Sequence, residues 1–180
     1  AQTLALSAEA APNKASDPND KFVYSVDKFG DLEVLRYKVP GFEDLTLNQK
    51  KLIYFLSQAA LEGRDILFDQ NNKYNLTIRK TLEAIYQTYP DKKSDDFKKL
   101  EVYLKRVWFS NGIHHHYATD KFYPEFSKEF FTQAVKATAD KELPLYAYKS
   151  SKEELLKAIL PVMFDTNVYT KRVNQANGET

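Results

Sequence analysis

The sequence predicts a mainly α-helical fold, an irregular multi-helix domain with little strand. Three observations support this prediction. Apolar residues recur at three- and four-residue spacing in five stretches, as they do on one face of a helix. Each stretch begins near a residue type that favours helix starts, and several are followed by glycine or proline. No long alternation of apolar and polar residues, the pattern of a half-buried strand, is present.

The first long helix is predicted between Thr46 and Gly63. Thr46 and Gln49 have the spacing of a capping box, and Gly63 is a residue type that often ends a helix. A shorter helix is predicted before it, at residues 27–37. Residues 64–70 are interpreted as a structural helix end and loop, anchored by Ile66, Leu67 and Phe68. The predicted apolar stripe of the long helix consists of Leu52, Ile53, Phe55, Leu56, Ala59 and Ala60.

Four further helices follow from similar signals. Their predicted starts are Asn75, Ser94, Pro124 and Ser151, which precedes Glu154 by capping-box spacing. Pro90 ends the second long helix and Gly112 follows the third. The predicted inward residues are Ile78, Leu82, Ile85, Tyr86, Tyr89, Phe97, Leu100, Leu104, Val107, Trp108, Phe126, Phe130, Ala134, Val135, Leu155, Leu156 and Ile159.

Length and composition limit the function classes. A chain of 180 residues suits one domain or one lobe of a larger enzyme. The 26 basic and 25 acidic residues leave a net charge of +1, so we expect no nucleic-acid partner. The absence of cysteine excludes disulfides, thiolate nucleophiles and cysteine-ligated metals. No apolar run approaches the ~20 residues of a membrane-spanning helix, so we expect no membrane span.

The first 20 residues are predicted to form a flexible N-terminal tail, followed by a helical lobe over residues 21–180. The tail is rich in Ala, Pro, Asn, Asp and Ser, and it lacks the apolar residues that would offset its ordering entropy. It would suit the spacer left after an export signal is removed, and an ordinary frayed terminus explains it equally well. We therefore expect a periplasmic or cell-envelope location.

The segment from Trp108 to Tyr117 is the candidate functional site. Trp108 and Phe109 are interpreted as the end of a helix's core face, and Asn111-Gly112 as a left-handed helix end. These structural roles do not explain three adjacent histidines directly after the turn. Loops that project bulky, titratable rings usually do so to bind a ligand.

Two catalytic interpretations of the same segment are weaker. A zinc site of the H-E-x-x-H type needs histidines one helical turn apart with a glutamate between them, whereas these histidines are contiguous. His114 and His116 could share one side of an extended loop as a surface metal site, but no close carboxylate completes that site. A serine triad through Ser110 lacks the G-x-S-x-G elbow.

Several strings of the chain carry a family resemblance. They are residues 29–42 (FGDLEVLRYKVPGF), 63–70 (GRDILFDQ), 102–117 (VYLKRVWFSNGIHHHY), 120–126, 161–165 and 171–175. Through them the chain resembles the N-terminal lobe of dipeptidyl peptidase III, in its Bacteroides-type bacterial form. The resemblance covers essentially everything after the tail. It was not apparent from composition or periodicity, which only agree with it.

The resemblance implies one lobe of a two-lobed zinc exopeptidase that releases dipeptides from the N-terminus of short peptides. It places zinc, its ligands and the catalytic groups in a remaining lobe, beyond Thr180. We therefore expect this chain to be part of a longer protein, to hold no catalytic or metal-binding residue and to be inactive alone. The alternative is a self-contained, non-catalytic helical binding or interaction domain.

The resemblance also implies a peptide-binding role for the loop after the third long helix. Animal members of the family carry a Ser-Asn turn there, which Ser110 and Asn111 match. A short polar and aromatic loop that lines the cleft follows, and then a Lys-Phe ending, which Lys121 and Phe122 match. The histidine run departs from the animal members' pattern. The implied substrate-binding residues are Ser110, Asn111, His114, His116 and Tyr117.

Overall fold

The computed structural model of the chain describes residues 21–172, and these residues form a mainly helical protein. The predicted fold class is confirmed. The predicted tail over residues 1–20 lies outside the described residues. The chain divides into two compact units, Ala1–Val39 and Pro40–Thr180.

The first unit contains a β-hairpin, so the helix predicted at residues 27–37 is wrong. Strands β1 (Ser25–Phe29) and β2 (Leu32–Leu35) pair antiparallel, with Phe29 opposite Leu32. Gly30 begins the two-residue turn between them at φ +57°, a conformation that glycine adopts without steric cost. The Gly30-Asp31 pair is a residue combination typical of a two-residue hairpin turn.

The second unit begins with two helices in direct succession. Helix α1 (Leu47–Glu62) starts at the predicted capping box, in which Gln49 N donates to Thr46 Oγ1 and Thr46 N donates to Gln49 Oε1. Gly63 ends α1 in a right-handed conformation, and α2 (Arg64–Asn71) follows at once.

Residues 64–70 are therefore helical, and the predicted loop there is wrong. Of its three expected anchors only Phe68 is buried, while Ile66 and Leu67 are exposed. The predicted stripe of α1 is exposed as well, because no residue of this helix is buried.

Helices α3 (Asn75–Thr88) and α4 (Asp95–Ser110) form the centre of the second unit. They pack against α5 (Lys128–Ala137), two short 3-10 turns (Asp140–Glu142 and Leu145–Ala147) and α6 (Lys152–Phe164). The fully buried large side chains are Phe97, Phe131, Ile78, Leu82, Ile85, Leu100, Leu104, Ile113, Leu155, Ile159, Met163 and Val107. These residues confirm most of the predicted inward positions.

Several predicted helix starts differ from the structure. Helix α5 begins after Ser127, whose Oγ accepts from Phe130 N, and not at Pro124. Tyr74, not Asn75, is the N-cap of α3, because the Asn75 side chain is buried and bonded elsewhere. No helix among residues 21–172 is long and apolar enough to span a membrane.

Candidate functional site: the loop after α4

Helix α4 ends in the predicted left-handed turn. Asn111 has φ +52°, and its N–H bonds to the Trp108 carbonyl. Asn71 Nδ2 donates to the Asn111 carbonyl at 3.1 Å, which fixes the turn against α2. The next residue, Gly112, is buried with φ +148°. The chain therefore leaves α4 in a defined direction.

The side chain of Asn75 stabilises the backbone where the chain leaves α4. Its side chain is fully buried, and its Oδ1 accepts the Ile113 backbone N–H at 3.1 Å. A Cβ on Gly112 would lie 2.1 Å from Asn75 Nδ2, so the close approach requires glycine. Asn75, which was predicted to start a helix, is thus a buried support of the turn.

Residues 113–122 fold back as a tight loop stabilised by backbone bonds. Phe122 N donates to the Ile113 carbonyl at 2.8 Å, and His115 N donates to the Asp120 carbonyl at 2.7 Å. A second segment, residues 168–172, lies along the returning arm, where Lys121 N donates to the Thr170 carbonyl and Arg172 N to the Thr119 carbonyl. The loop therefore has hydrogen-bonded backbone on both sides.

Lys121 joins this loop to the end of α6. Its side chain is buried, and Nζ donates to the carbonyls of Val162, Asp165 and Val168. Burial lowers the pKa of Lys121, and the Asp165 charge opposes that shift. Three carbonyls around one ammonium satisfy all three of its donors.

His114 faces inward. It is only 3% exposed, and its Nε2 lies 2.7 Å from the Tyr169 carbonyl. A carbonyl can only accept, so Nε2 carries the proton, and Nδ1 is a buried acceptor without a hydrogen-bond partner among residues 21–172. Burial lowers the pKa of His114; the bond to Tyr169 opposes the shift, and the charges of Lys121 and Arg172 reinforce it. The ring is therefore neutral at pH 7.

His115, His116 and Tyr117 form a cluster of rings with Phe109 at the tip of the loop. The His115 and His116 rings stack with centroids 4.5 Å apart, and Phe109 meets His116 edge-on at 5.0 Å. His115 Nδ1 accepts two backbone N–H groups, from Tyr117 and Ala118. Tyr117 is 85% exposed. The cluster therefore offers flat ring faces and one phenol to solvent.

The structure separates the five predicted site residues into two groups. Ser110 and His114 are buried, whereas Asn111 and His116 are half-buried and Tyr117 is exposed. His116 is the link between the groups, because its Nδ1 lies 3.5 Å from Ser110 Oγ. The pKa of His116 is lowered by burial and then by His115.

The Ser110–His116 pair lacks the features of a catalytic nucleophile. The 3.5 Å separation is long for a hydrogen bond that activates a hydroxyl, and Ser110 is buried. No hydrogen bond from His116 to an orienting carboxylate is found within residues 21–172. The loop can instead bind through ring faces, a phenol and imidazole nitrogens.

Trp108 and Phe109 are not core residues as predicted, since they are 40% and 41% exposed. Trp108 Nε1 donates to Glu83 Oε1 at 2.8 Å, and this bond turns the indole toward the surface. Sequence periodicity places both residues at the end of α4. It cannot show that the buried face of the helix ends before them.

A cavity of about 360 Å³ adjoins Asn111 on the α2 side of the loop. It is lined by Arg64, Phe68, Arg79, Glu83, Trp108 and Asn111. Arg79 bonds Asp65 at 2.7 Å, which lowers the pKa of Asp65. Its Nε lies 3.3 Å from Glu83 Oε1, an ion pair without hydrogen-bond geometry. From residues 64–70 the lining therefore takes one charged side chain, Arg64, and the buried Phe68, while Arg79 and Glu83 come from α3.

Sequence reasoning missed Lys121 and Asn75 as supports of the site. Both are polar residues that the fold buries, and burial of this kind depends on contacts across 38 to 47 positions of sequence. The only local signal was Gly112, because a glycine often marks a position where a neighbouring side chain lies too close for a Cβ. No group of three or more histidine, aspartate and glutamate side chains within residues 21–172 could hold a metal ion.

Comparison with known proteins identifies no family. No protein-family model matches the chain, and no curated protein matches it.

Proposed function

We propose that this chain is the substrate-cleft lobe of a dipeptidyl peptidase III-like zinc exopeptidase. In this proposal the loop at residues 113–122 forms part of the wall that binds the peptide. Zinc and the catalytic groups belong to a remaining lobe of the same polypeptide, and the enzyme acts in the periplasm or cell envelope. The observation that carries the proposal is the ring cluster held out on a fixed backbone.

The fixed backbone is typical of a loop that binds a ligand and not of a loop that is only exposed. Backbone bonds, Lys121 and Asn75 hold residues 113–122 from three directions, so few degrees of freedom are lost when a peptide binds. Tyr117 and His116 are then presented in one arrangement. A tyrosine ring supplies contact area with little rotamer entropy to lose.

The five residues divide by role in this proposal. Asn111, His116 and Tyr117 reach the surface and contact the peptide. Ser110 and His114 act from inside: Ser110 lies behind the His116 ring, and His114 bonds residues 168–172 to the loop. Neutral imidazole at His116 can donate or accept one hydrogen bond with a peptide backbone.

The experiment measures dipeptide release by the complete enzyme carrying His116→Ala or Tyr117→Ala. Loss of one or two contacts should raise KM by about 5- to 150-fold, the equivalent of roughly 1–3 kcal/mol, with kcat little changed. Tyr117→Phe separates the ring from the hydroxyl. Tyr146→Ala is the matched control, because Tyr146 is an exposed aromatic (75%) outside the loop.

An unchanged KM in both loop variants would remove the loop from the substrate site. If the gene encodes no helix with paired zinc-binding histidines beyond residue 180, the self-contained interaction domain becomes the better proposal.

A further inference from the structure

The cavity beside Asn111 has the size and the lining of a small-molecule site. Its lining comes from α2, α3 and the end of α4, and its volume is about 360 Å³. It shares Asn111 with the loop, but none of the clustered rings at the tip of the loop lines it. The cavity is therefore a separate feature of the surface.

Both carboxylates near the cavity already have cationic partners. Glu83 Oε1 lies 3.3 Å from Arg79 Nε. Asp65 accepts a hydrogen bond from Arg79 Nη2 at 2.7 Å, and its second oxygen lies 3.4 Å from Lys80 Nζ. Two cations and two carboxylates therefore neutralise one another beside the cavity.

Arg64 is the cation that remains. Within residues 21–172 its only hydrogen bond is from Nε to the Leu61 carbonyl at 3.0 Å, and it has no carboxylate partner there. The four N–H groups on its two Nη atoms are therefore available to a ligand. A guanidinium fork binds a carboxylate through two parallel hydrogen bonds. One unpaired positive charge suits a singly charged anion.

The other lining residues favour an apolar group on that anion. Trp108 is 40% exposed, and the bond from its Nε1 to Glu83 fixes the indole ring. Phe68 lines the same cavity, with the Arg79 guanidinium 4.6 Å from its ring centroid. Asn111 adds a side-chain amide without a hydrogen-bond partner among the described residues, and an amide can both donate and accept.

We infer that this cavity binds a small carboxylate that carries an apolar or aromatic group, either a free organic acid or the C-terminal residue of a peptide. Arg64 holds the carboxylate and Trp108 contacts the apolar group. Asn111 forms a hydrogen bond with the amide of a peptide ligand. The inference concerns binding alone, so it does not depend on the proposed peptidase activity.

The fluorescence of Trp108 measures binding directly, because the chain contains one tryptophan. The probes are N-acetylphenylalanine, its carboxamide and 3-phenylpropanoate, each titrated into the 180-residue chain. We expect N-acetylphenylalanine to change the emission saturably. The carboxamide lacks the charge and should bind about tenfold more weakly, or less. Tighter binding of N-acetylphenylalanine than of 3-phenylpropanoate would identify a peptide C-terminus as the ligand, and equal binding a free organic acid.

Substitution of Arg64 tests its role. Arg64→Gln should weaken the binding of N-acetylphenylalanine by about tenfold or more, and Arg64→Lys by less, because lysine keeps the charge without the fork. Arg64 is exposed, so neither change should unfold the chain. Arg36→Gln is the matched control, since Arg36 is also exposed and its Nε also donates to a carbonyl, that of Val23. It should leave the affinity unchanged.

Three results would each overturn the inference. The first is equal affinity for N-acetylphenylalanine and its carboxamide. The second is equal affinity of Arg64→Gln and the unaltered chain for N-acetylphenylalanine. The third is a Trp108 emission that neither acid changes.

Discussion

Gly112 is the residue on which the direction of the loop depends. Its φ of +148° is a conformation that side chains seldom adopt, and its α-carbon faces the buried Asn75 amide. The amide cannot retreat without losing its bond to Ile113 N. The turn at Gly112 and the Asn75 side chain therefore fix each other in position.

Gly112→Ala should destabilise the protein by about 3 kcal/mol, from backbone strain together with the collision at 2.1 Å. Gly41→Ala is the matched control, because Gly41 also has positive φ (+86°) but a Cβ there would meet nothing within 4 Å. It should cost about 1 kcal/mol. Urea denaturation measures both, and equal losses would mean that the contact with Asn75 is unimportant.

His114 should make stability fall in mild acid. Its folded pKa lies below the ordinary value of 6.5, mainly because of burial. As the pH falls through 6.5, the unfolded chain takes up the proton before the folded chain does. The free energy of unfolding is therefore greatest above that pH and decreases toward the lower, folded pKa.

Urea denaturation between pH 7.5 and 5 checks this prediction. His114→Gln should flatten the dependence, because the glutamine amide can still donate to Tyr169 and does not titrate. His116→Gln should flatten it less, since His116 is less buried. A wild-type profile retained in His114→Gln would assign the acid sensitivity to other groups.

The connection between helix α6 and the loop at residues 113–122 depends on the ammonium group of Lys121. Lys121→Met keeps the length of the side chain but removes the donor to three carbonyls. We expect a loss of about 2–3 kcal/mol and faster hydrogen exchange in residues 165–172. Lys157→Met, at an exposed position of α6, should change neither. Unaltered exchange in the Lys121 variant would show that the backbone bonds alone hold the segment.

Helices that bury a regular apolar stripe were predictable from the sequence. The elements that the sequence did not predict were missed for physical reasons. The stripe of α4 from Phe97 to Val107 and the caps at Thr46 and Ser151 are local signals, and the structure contains them. The β1–β2 hairpin was missed because a strand of four or five residues shows too few alternations.

The candidate site was predictable only in part. Asn111 in a left-handed turn follows from the preferences of Asn-Gly, and the structure agrees. That His114 turns inward while Tyr117 turns outward depends on Tyr169, more than 50 positions along the chain. Sequence spacing alone contains no information about such a partner.

At the scale of the molecule, the 180-residue chain should bind no stoichiometric zinc and release no dipeptides. A catalytic zinc needs three protein ligands and an open position for water. His114 Nε2 is bonded to the Tyr169 carbonyl, and within residues 21–172 no three His, Asp or Glu side chains come together to hold a metal ion. Metal analysis after dialysis and a dipeptidyl-substrate assay check this. One bound zinc with activity would place the active site within this chain.

The exposed surface of α1 also has a consequence during synthesis. Helix α1 leaves the ribosome well before helices α3 to α6, which form the core, have all been made. At about 5–20 residues per second, the delay between Glu62 and Thr180 is roughly 6–24 s. Throughout that time this apolar helix stands open to other nascent chains. Apolar surface that is exposed during synthesis favours aggregation.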